Sequence, residues 1–117
     1  MNVRLFFFFL LMGGAVNAQV VNPLRLSSIT INEGLSQGFV SFITQDSRGL
    51  MWFATGDGLN KYDGYNFVVY HHDTDDPHSI GSDDLTYVFE DSRQRLWIGT
   101  RNSGLDFFDR QTHRFYH

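Results

Sequence analysis

No cysteine occurs in the 117 residues, which excludes a disulfide framework and a thiolate metal site and fits any compartment. Basic residues are sparse, nine Lys and Arg against thirteen Asp and Glu, and they form no block. The formal net charge of −4 therefore gives no sign of a nucleic-acid partner. There is no glycine-rich phosphate loop and no kinase motif. No Ser-His-Asp triad or working carboxylate pair can be placed from spacing. Neither catalysis in this chain nor a cofactor is expected. Outside the first eighteen residues no convincing helix pattern is present either.

Those first eighteen, MNVRLFFFFLLMGGAVNA, differ in kind from the rest. One positive charge, Arg4, precedes an apolar run over 5–12, and Val16-Asn17-Ala18 suits a signal peptidase. The run is short against the roughly 20 residues of a membrane span. Residues 1–18 are read as a signal peptide cut after Ala18 rather than as an uncleaved anchor. The mature chain is then periplasmic or extracellular, and its size is about that of one small domain. Hydrophobic residues at 42% and aromatics at 16% are enough for a core.

The mature sequence is a succession of short apolar runs broken by polar turns. Residues 26–31 alternate and are a strand candidate. Strands are expected over 40–45, 50–55, 59–62 and 66–71, with turns at Asp46-Ser47-Arg48-Gly49, Gly56-Asp57-Gly58 and Asp63-Gly64. The polar HDTDDPHSIGSDD, with Pro77 and Gly81, interrupts the pattern. The pattern then starts over. DSRGLMWFATGDG, at 46–58, returns as DSRQRLWIGTRNSG, at 91–104. Trp97 stands 45 residues after Trp52 and Thr100 45 after Thr55, whereas Gly104 stands 46 after Gly58. Gly49 becomes Gln94, which leaves the second turn open to a different type. A fourth strand of the second unit begins at Phe115 and is cut off by the chain end.

Four short strands per unit at a period near 45 are the mark of a propeller blade. The strands around Trp52 and Trp97 are apolar on both faces, as strands sandwiched between neighbouring blades must be. The fold class expected is all-β: a partial β-propeller of about two four-stranded antiparallel blades. Residues 19–38 form an N-terminal segment with a candidate ring-closing strand, 39–84 the first blade and its connector, and 85–117 a second, incomplete blade.

The phrase VSFITQDSRGLMWFATGDGLNKYD, at 40–63, resembles the two-component regulator propeller repeat, and LTYVFEDSRQRLWIGTRNSGLDFFD, at 85–109, resembles it again. SSITINEGLS, at 27–36, is similar to the phrase that opens such domains. The resemblance covers nearly all of the mature chain. It implies the periplasmic sensor region of a hybrid two-component protein of Bacteroidota type. Such proteins typically carry two seven-bladed propellers, then an immunoglobulin-like domain, a membrane span, a histidine kinase core, a receiver and a DNA-binding domain. It further implies partners in the remaining blades, a glycan-derived ligand, a parent anchored in the inner membrane, and a homodimer formed through that parent. With about two blades and no kinase segment, the chain is read as the N-terminal piece of a larger sensor. The alternative is a secreted carbohydrate-binding or adhesive propeller without a kinase; an enzyme built on a propeller ranks third.

Residues that repeat with the blade are read as scaffold: Asp46 and Asp91 capping their turns, Trp52 and Trp97 as inter-blade core, Thr55 and Thr100 at strand ends, Gly58 and Gly104 in turns. Ligand specificity is expected where the copies differ or where aromatics approach a turn, at Asp57, Arg101, Asn102, Tyr65 and Tyr70. His71, His72, Asp73, Asp75, Asp76 and His78 crowd the connector, but their spacing fits no metal loop, and a solvated loop without metal is expected.

Overall fold

The computed structural model describes residues 22–117. The signal peptide expected over 1–18 lies outside the described residues. Among the described residues eight strands come after a 3-10 turn at Ile31–Glu33: β1 Val40–Gln45, β2 Met51–Thr55, β3 Gly58–Tyr62, β4 Phe67–Tyr70, β5 Leu85–Glu90, β6 Leu96–Thr100, β7 Leu105–Asp109 and β8 Arg114–Tyr116. They form two four-stranded antiparallel meanders, β1-β2-β3-β4 and β5-β6-β7-β8. These are two propeller blades. The fourth strand of the second blade, expected as a cut-off start, pairs with β7 through Phe107–Tyr116, Phe108–Phe115 and Asp109–Arg114.

The repeat extends to irregularities. Each first strand breaks register at the same place, between Val40 and Phe42 and between Leu85 and Tyr87. The two hairpin turns are also alike, contrary to the expectation raised by Gln94. Gly49 donates its N–H to Asp46 O at 3.0 Å and Gln94 donates its own to Asp91 O at 2.9 Å. Both residues are left-handed, with φ +83° and +61°. The turn geometry is thus fixed by the aspartate and the strands, and Gln94 accepts a conformation that glycine takes without steric cost.

Residues 26–31, a strand candidate by sequence, form no strand among the described residues. A strand requires a ladder partner, and none lies beside this segment among the described residues. Leu24 and Leu26 stand more than four-fifths exposed. At its end Thr30 caps the 3-10 turn: its hydroxyl accepts the Asn32 N–H, and Glu33 accepts the Thr30 N–H. The Thr30 hydroxyl also donates to Glu33 at 2.7 Å, and the two bonds from Thr30 hold the Glu33 carboxyl below the usual carboxylate range.

Strand alternation assigns the faces. Trp52, Ala54, Leu59 and Tyr70 point from the first sheet toward the second, where Val88, Leu96, Ile98, Phe108 and Phe115 meet them. Ile80 of the connector enters the same core and is fully buried. Trp52 contacts Phe108 edge-on at 5.7 Å between ring centroids, and Phe108 lies 4.7 Å from Phe115. An edge-to-face pair such as Trp52–Phe108 adds about 0.5–1.5 kcal/mol beyond its buried area.

The far face of the second sheet repeats the near face of the first. Trp97 occupies the place of Trp52, Gly99 that of Ala54, Leu105 that of Leu59 and Tyr116 that of Tyr70. There, however, no further sheet covers it among the described residues, and only Tyr87 reaches a ring of the first blade, Phe42, at 4.0 Å between centroids. Tyr87, Phe89, Leu105 and Tyr116 are each about half exposed, and Trp97 is only partly buried. A contiguous aromatic patch of this kind drives association.

Two outcomes are expected. In sedimentation velocity the chain associates with rising concentration, and Trp97→Ser with Phe107→Ser weakens that association; a strict monomer at every concentration contradicts the account of this face. In urea denaturation, Gln94→Gly stabilises the fold by about 0.5–1 kcal/mol, the gain from relieving a left-handed residue less the entropy that glycine restores to the unfolded chain. A loss of stability shows that the Gln94 side chain contributes more than its backbone costs.

Candidate functional site

Antiparallel meanders place their loops on two opposite rims. The turn rim carries the β1–β2, β3–β4, β5–β6 and β7–β8 turns. The connector rim carries the β2–β3 and β6–β7 turns and the long linker between the blades.

On the turn rim each repeat aspartate closes its own hairpin. Asp46 Oδ1 accepts the N–H groups of Arg48 and Leu50 at 2.9 Å, while its Oδ2 accepts the Trp52 indole N–H at 2.7 Å. Asp91 does the same for Arg93, Arg95 and Trp97, the indole bond being 3.0 Å, and also receives Arg95 Nε at 2.6 Å. The Trp97 indole bond is the chief cause that holds the Asp91 carboxyl far below the usual carboxylate range, assisted by Arg95 and Arg93 and opposed by desolvation. Asp63 and Asp109 are depressed likewise, first by the N–H groups of Asn66 and Gln111 respectively.

The blades are also stapled together on this rim. The Arg110 guanidinium pairs with Glu90 through Nη2 and lies 3.2 Å from Asp46 Oδ2 through Nη1, and Glu90 Oε1 accepts the Ser47 N–H at 2.8 Å. Sequence reasoning missed Arg110 and Glu90. Arg110 has no basic counterpart in the first blade, so the repeat itself gave no signal for it.

On the connector rim the two Thr residues organise the turns. Thr55 Oγ1 donates to Gly58 O at 2.9 Å and Thr100 Oγ1 donates to Gly104 O at 2.8 Å. Both glycines take positive φ, +100° and +78°. At Gly58 a Cβ would fall 2.6 Å from Tyr70 O, so this position requires glycine for space as well. The dipeptide Asp83-Asp84 then stitches both turns to the linker. Asp83 O accepts the Gly58 N–H at 2.8 Å, and Asp84 O accepts the Arg101 N–H at 2.9 Å.

That stitching brings together three of the five residues singled out from sequence. Asp57 and Arg101 flank the dipeptide, and Asn102 comes next on the exposed turn. Arg101 Nε donates to Asp84 Oδ2 at 2.8 Å. His71 Nδ1 lies 3.8 Å from Asp57 Oδ1 and 3.5 Å from Asp83 Oδ1. These three could together offer one nitrogen and two oxygens to a divalent cation. The other two residues lie elsewhere. Tyr65 is exposed on the turn rim, and Tyr70 packs within the inter-blade core, 5.3 Å from Phe108 and 5.5 Å from Phe115. The connector residues largely serve their own loop: Asp73 accepts from Asp75 and Asp76 accepts from His78, both at 2.9 Å, while His72 Nδ1 sits 2.7 Å from Ile80 O. Asp83 and Asp84 were not singled out from sequence. Their signal was two acidic residues immediately before a blade's first strand.

Residues 34–57 and 79–102 match the family model of the two component regulator propeller. The chain is 47% identical over 53 residues to Histidine kinase P4 of Formosa agariphila, covering 45% of the chain and 4% of that protein. Among solved structures it is similar to the extracellular domain of BT3049 from B. thetaiotaomicron, whose name places it in a hybrid two component system. That match has a TM-score of 0.69, 35% identity and 77% of this chain against 13% of the other. A second, at TM-score 0.63 and 25% identity, is the extracellular domain of BT4673 from the same organism, named a one component system; it covers 80% of this chain and 13% of the other. The chain thus spans a small part of each relative.

Replacing Trp97 by Phe removes the indole donor and keeps the ring. The Asp91 pKa is then expected to rise toward the ordinary carboxylate range, read by carboxyl NMR titration. A group depressed in the folded state contributes stability above its unfolded pKa and loses it as pH falls through the folded value. Trp97→Phe therefore loses part of its stability at neutral pH and moves the remaining acid loss to higher pH. An unchanged Asp91 titration assigns the depression to Arg95 instead.

Proposed function

The chain carries two copies of the two component regulator propeller repeat within an extracellular, propeller-type sensor domain, and from that premise we propose that it supplies the opening blades of a propeller that senses a glycan-derived ligand. It corresponds to the sensor region of such systems and not to a kinase domain. The observation that carries the ligand reading is the convergence of Asp57, Arg101 and Asn102 with Asp83 and Asp84 on one rim. Carboxylates, a guanidinium and an amide are the groups that hydrogen-bond sugar hydroxyls, and here they are exposed or partly so. The repeat residues beneath them are engaged in holding the turns.

In the proposed parent, a seven-bladed ring continues from the second blade. The domain bounds track the repeat: an N-terminal segment over 19–38, the first blade and connector over 39–84, and the second blade over 85–117. Residues 26–31 add to the last blade as a ring-closing strand, which accounts for the exposure of Leu26. The further partners are the remaining blades, an oligosaccharide on the connector rim, and a second parent molecule. The parent is anchored in the inner membrane and relays occupancy of this rim to a histidine kinase by shifting the population of its signalling arrangement.

Calorimetric titration of a glycan panel against the complete exported region tests this. One oligosaccharide class is expected to bind, and Asp57→Asn with Arg101→Gln to weaken it about tenfold or more, the loss of one or two charge-assisted hydrogen bonds. Binding that ignores both substitutions removes the connector rim from ligand recognition.

A further inference from the structure

Five of the nine Lys and Arg residues of this acidic chain gather at one place. On the turn rim, between the blades, Arg48, Arg93, Arg95 and Arg110 line an open cavity of about 210 Å³. Adjoining it, a space of about 40 Å³ is lined by Arg48, Lys61, Arg110 and His113 together with the apolar Leu50, Trp52 and Phe108. Arg48 and Arg110 border both. The stacking of the blades creates this concentration. Arg48 and Arg93 occupy the same position in each DSR turn, 45 residues apart in sequence, and the blade packing turns that spacing into two guanidinium groups around one opening.

The charges are not all compensated. Arg95 is paired with Asp91, and Arg110 with Asp46 and Glu90. Arg48, Arg93 and Lys61 have no ion pair among the described residues, and the two arginines make no side-chain hydrogen bond there either. Asp109 also borders the opening, but its two oxygens accept the Gln111 N–H and the Thr112 hydroxyl of its own turn. The Arg110 side chain is 8% exposed, and its Nε and Nη1 are buried without an aligned hydrogen-bond acceptor, Nη1 meeting Asp46 as an ion pair alone. A buried N–H donor left without an acceptor costs about 1–3 kcal/mol. Donors without acceptors beside uncompensated guanidinium groups match the chemistry of a ligand that brings several anionic oxygens.

We propose that this inter-blade cavity on the turn rim binds an oxyanion, the carboxylate, sulfate or phosphate group of a ligand, with Arg48 and Arg93 as its primary contacts. The site lies on the rim opposite Asp57 and Arg101, so it stands or falls separately from the glycan reading.

Equilibrium dialysis of the full chain with labelled sulfate at constant ionic strength tests it. One saturable site per chain is expected. Arg48→Gln with Arg93→Gln weakens it about tenfold or more, and Arg101→Gln on the far rim leaves it unchanged. Displacement of sulfate by glucuronate, by phosphate, or by both tells the carboxylate source from the tetrahedral one, and each result upholds the site. Saturable binding of none of the three anions overturns it, as does an equal loss in Arg101→Gln. Should the double variant fail to fold by circular dichroism, phenylglyoxal modification of the unmutated chain decides. Sulfate is expected to protect Arg48 and Arg93 and to leave Arg101 reactive; uniform protection, or none, overturns the proposal.

Discussion

Trp52 is held from two directions, and the blade pair is organised around it. Its indole N–H is bound to Asp46, which also closes the β1–β2 hairpin. Its ring is buried between the sheets against Phe108 and stacks near Tyr70 at 6.2 Å. The first contact is local and belongs to one blade. The second belongs to the joint between blades. Because one side chain makes both, the hairpin geometry and the sheet-to-sheet packing cannot vary independently. Trp97 makes the local contact alike, but its ring lies on a face that the described residues leave open. Repeat architectures behave this way in general: each unit is locally complete and buries its hydrophobic face only against a neighbour.

That division explains what could be read from sequence. Elements fixed within a blade were legible. The first strands of both blades have the bounds expected; within them the turn aspartates accept N–H groups of their own hairpins, the strand-end threonines donate to turn carbonyls, and Gly58 and Gly104 take positive φ. The strand over 26–31 was not legible, because alternation records a preference for pairing and pairing requires a second strand. Tyr70 misled for a related reason. Its place near a strand end suggested a rim, whereas its face of the sheet directs it into the aromatic core. Gln94 differs in type from Gly49 and takes the same backbone, because the aspartate and the ladder determine the turn.

Residues that act between blades were the least legible. Arg110 lies in the β7–β8 turn and its carboxylate partners lie in the β1–β2 turn and β5, twenty and more residues away. No repeat position announces it, since the first blade has Gly64 there. The Asp57, His71 and Asp83 group is likewise assembled from a hairpin turn, a strand end and the linker. In each case the sequence contains the groups but not the rotation that superposes them. The stacking of blades supplies that rotation.

The two rims consequently differ in the charged groups they carry. The linker and the β2–β3 turn bring Asp57, Asp73, Asp75, Asp76, Asp83 and Asp84 to the connector rim, where Arg101 is the basic residue of the adjoining turn. The arginines of the DSR turns go to the opposite rim. There the repeat supplies an aspartate with each arginine: Asp46 and Asp91 are engaged in closing their hairpins, while the Arg48 and Arg93 side chains have no ion pair among the described residues. The repeat residues therefore do more than build the blade: the meander they close fixes which turn lies on which rim, and with it which charged groups meet there.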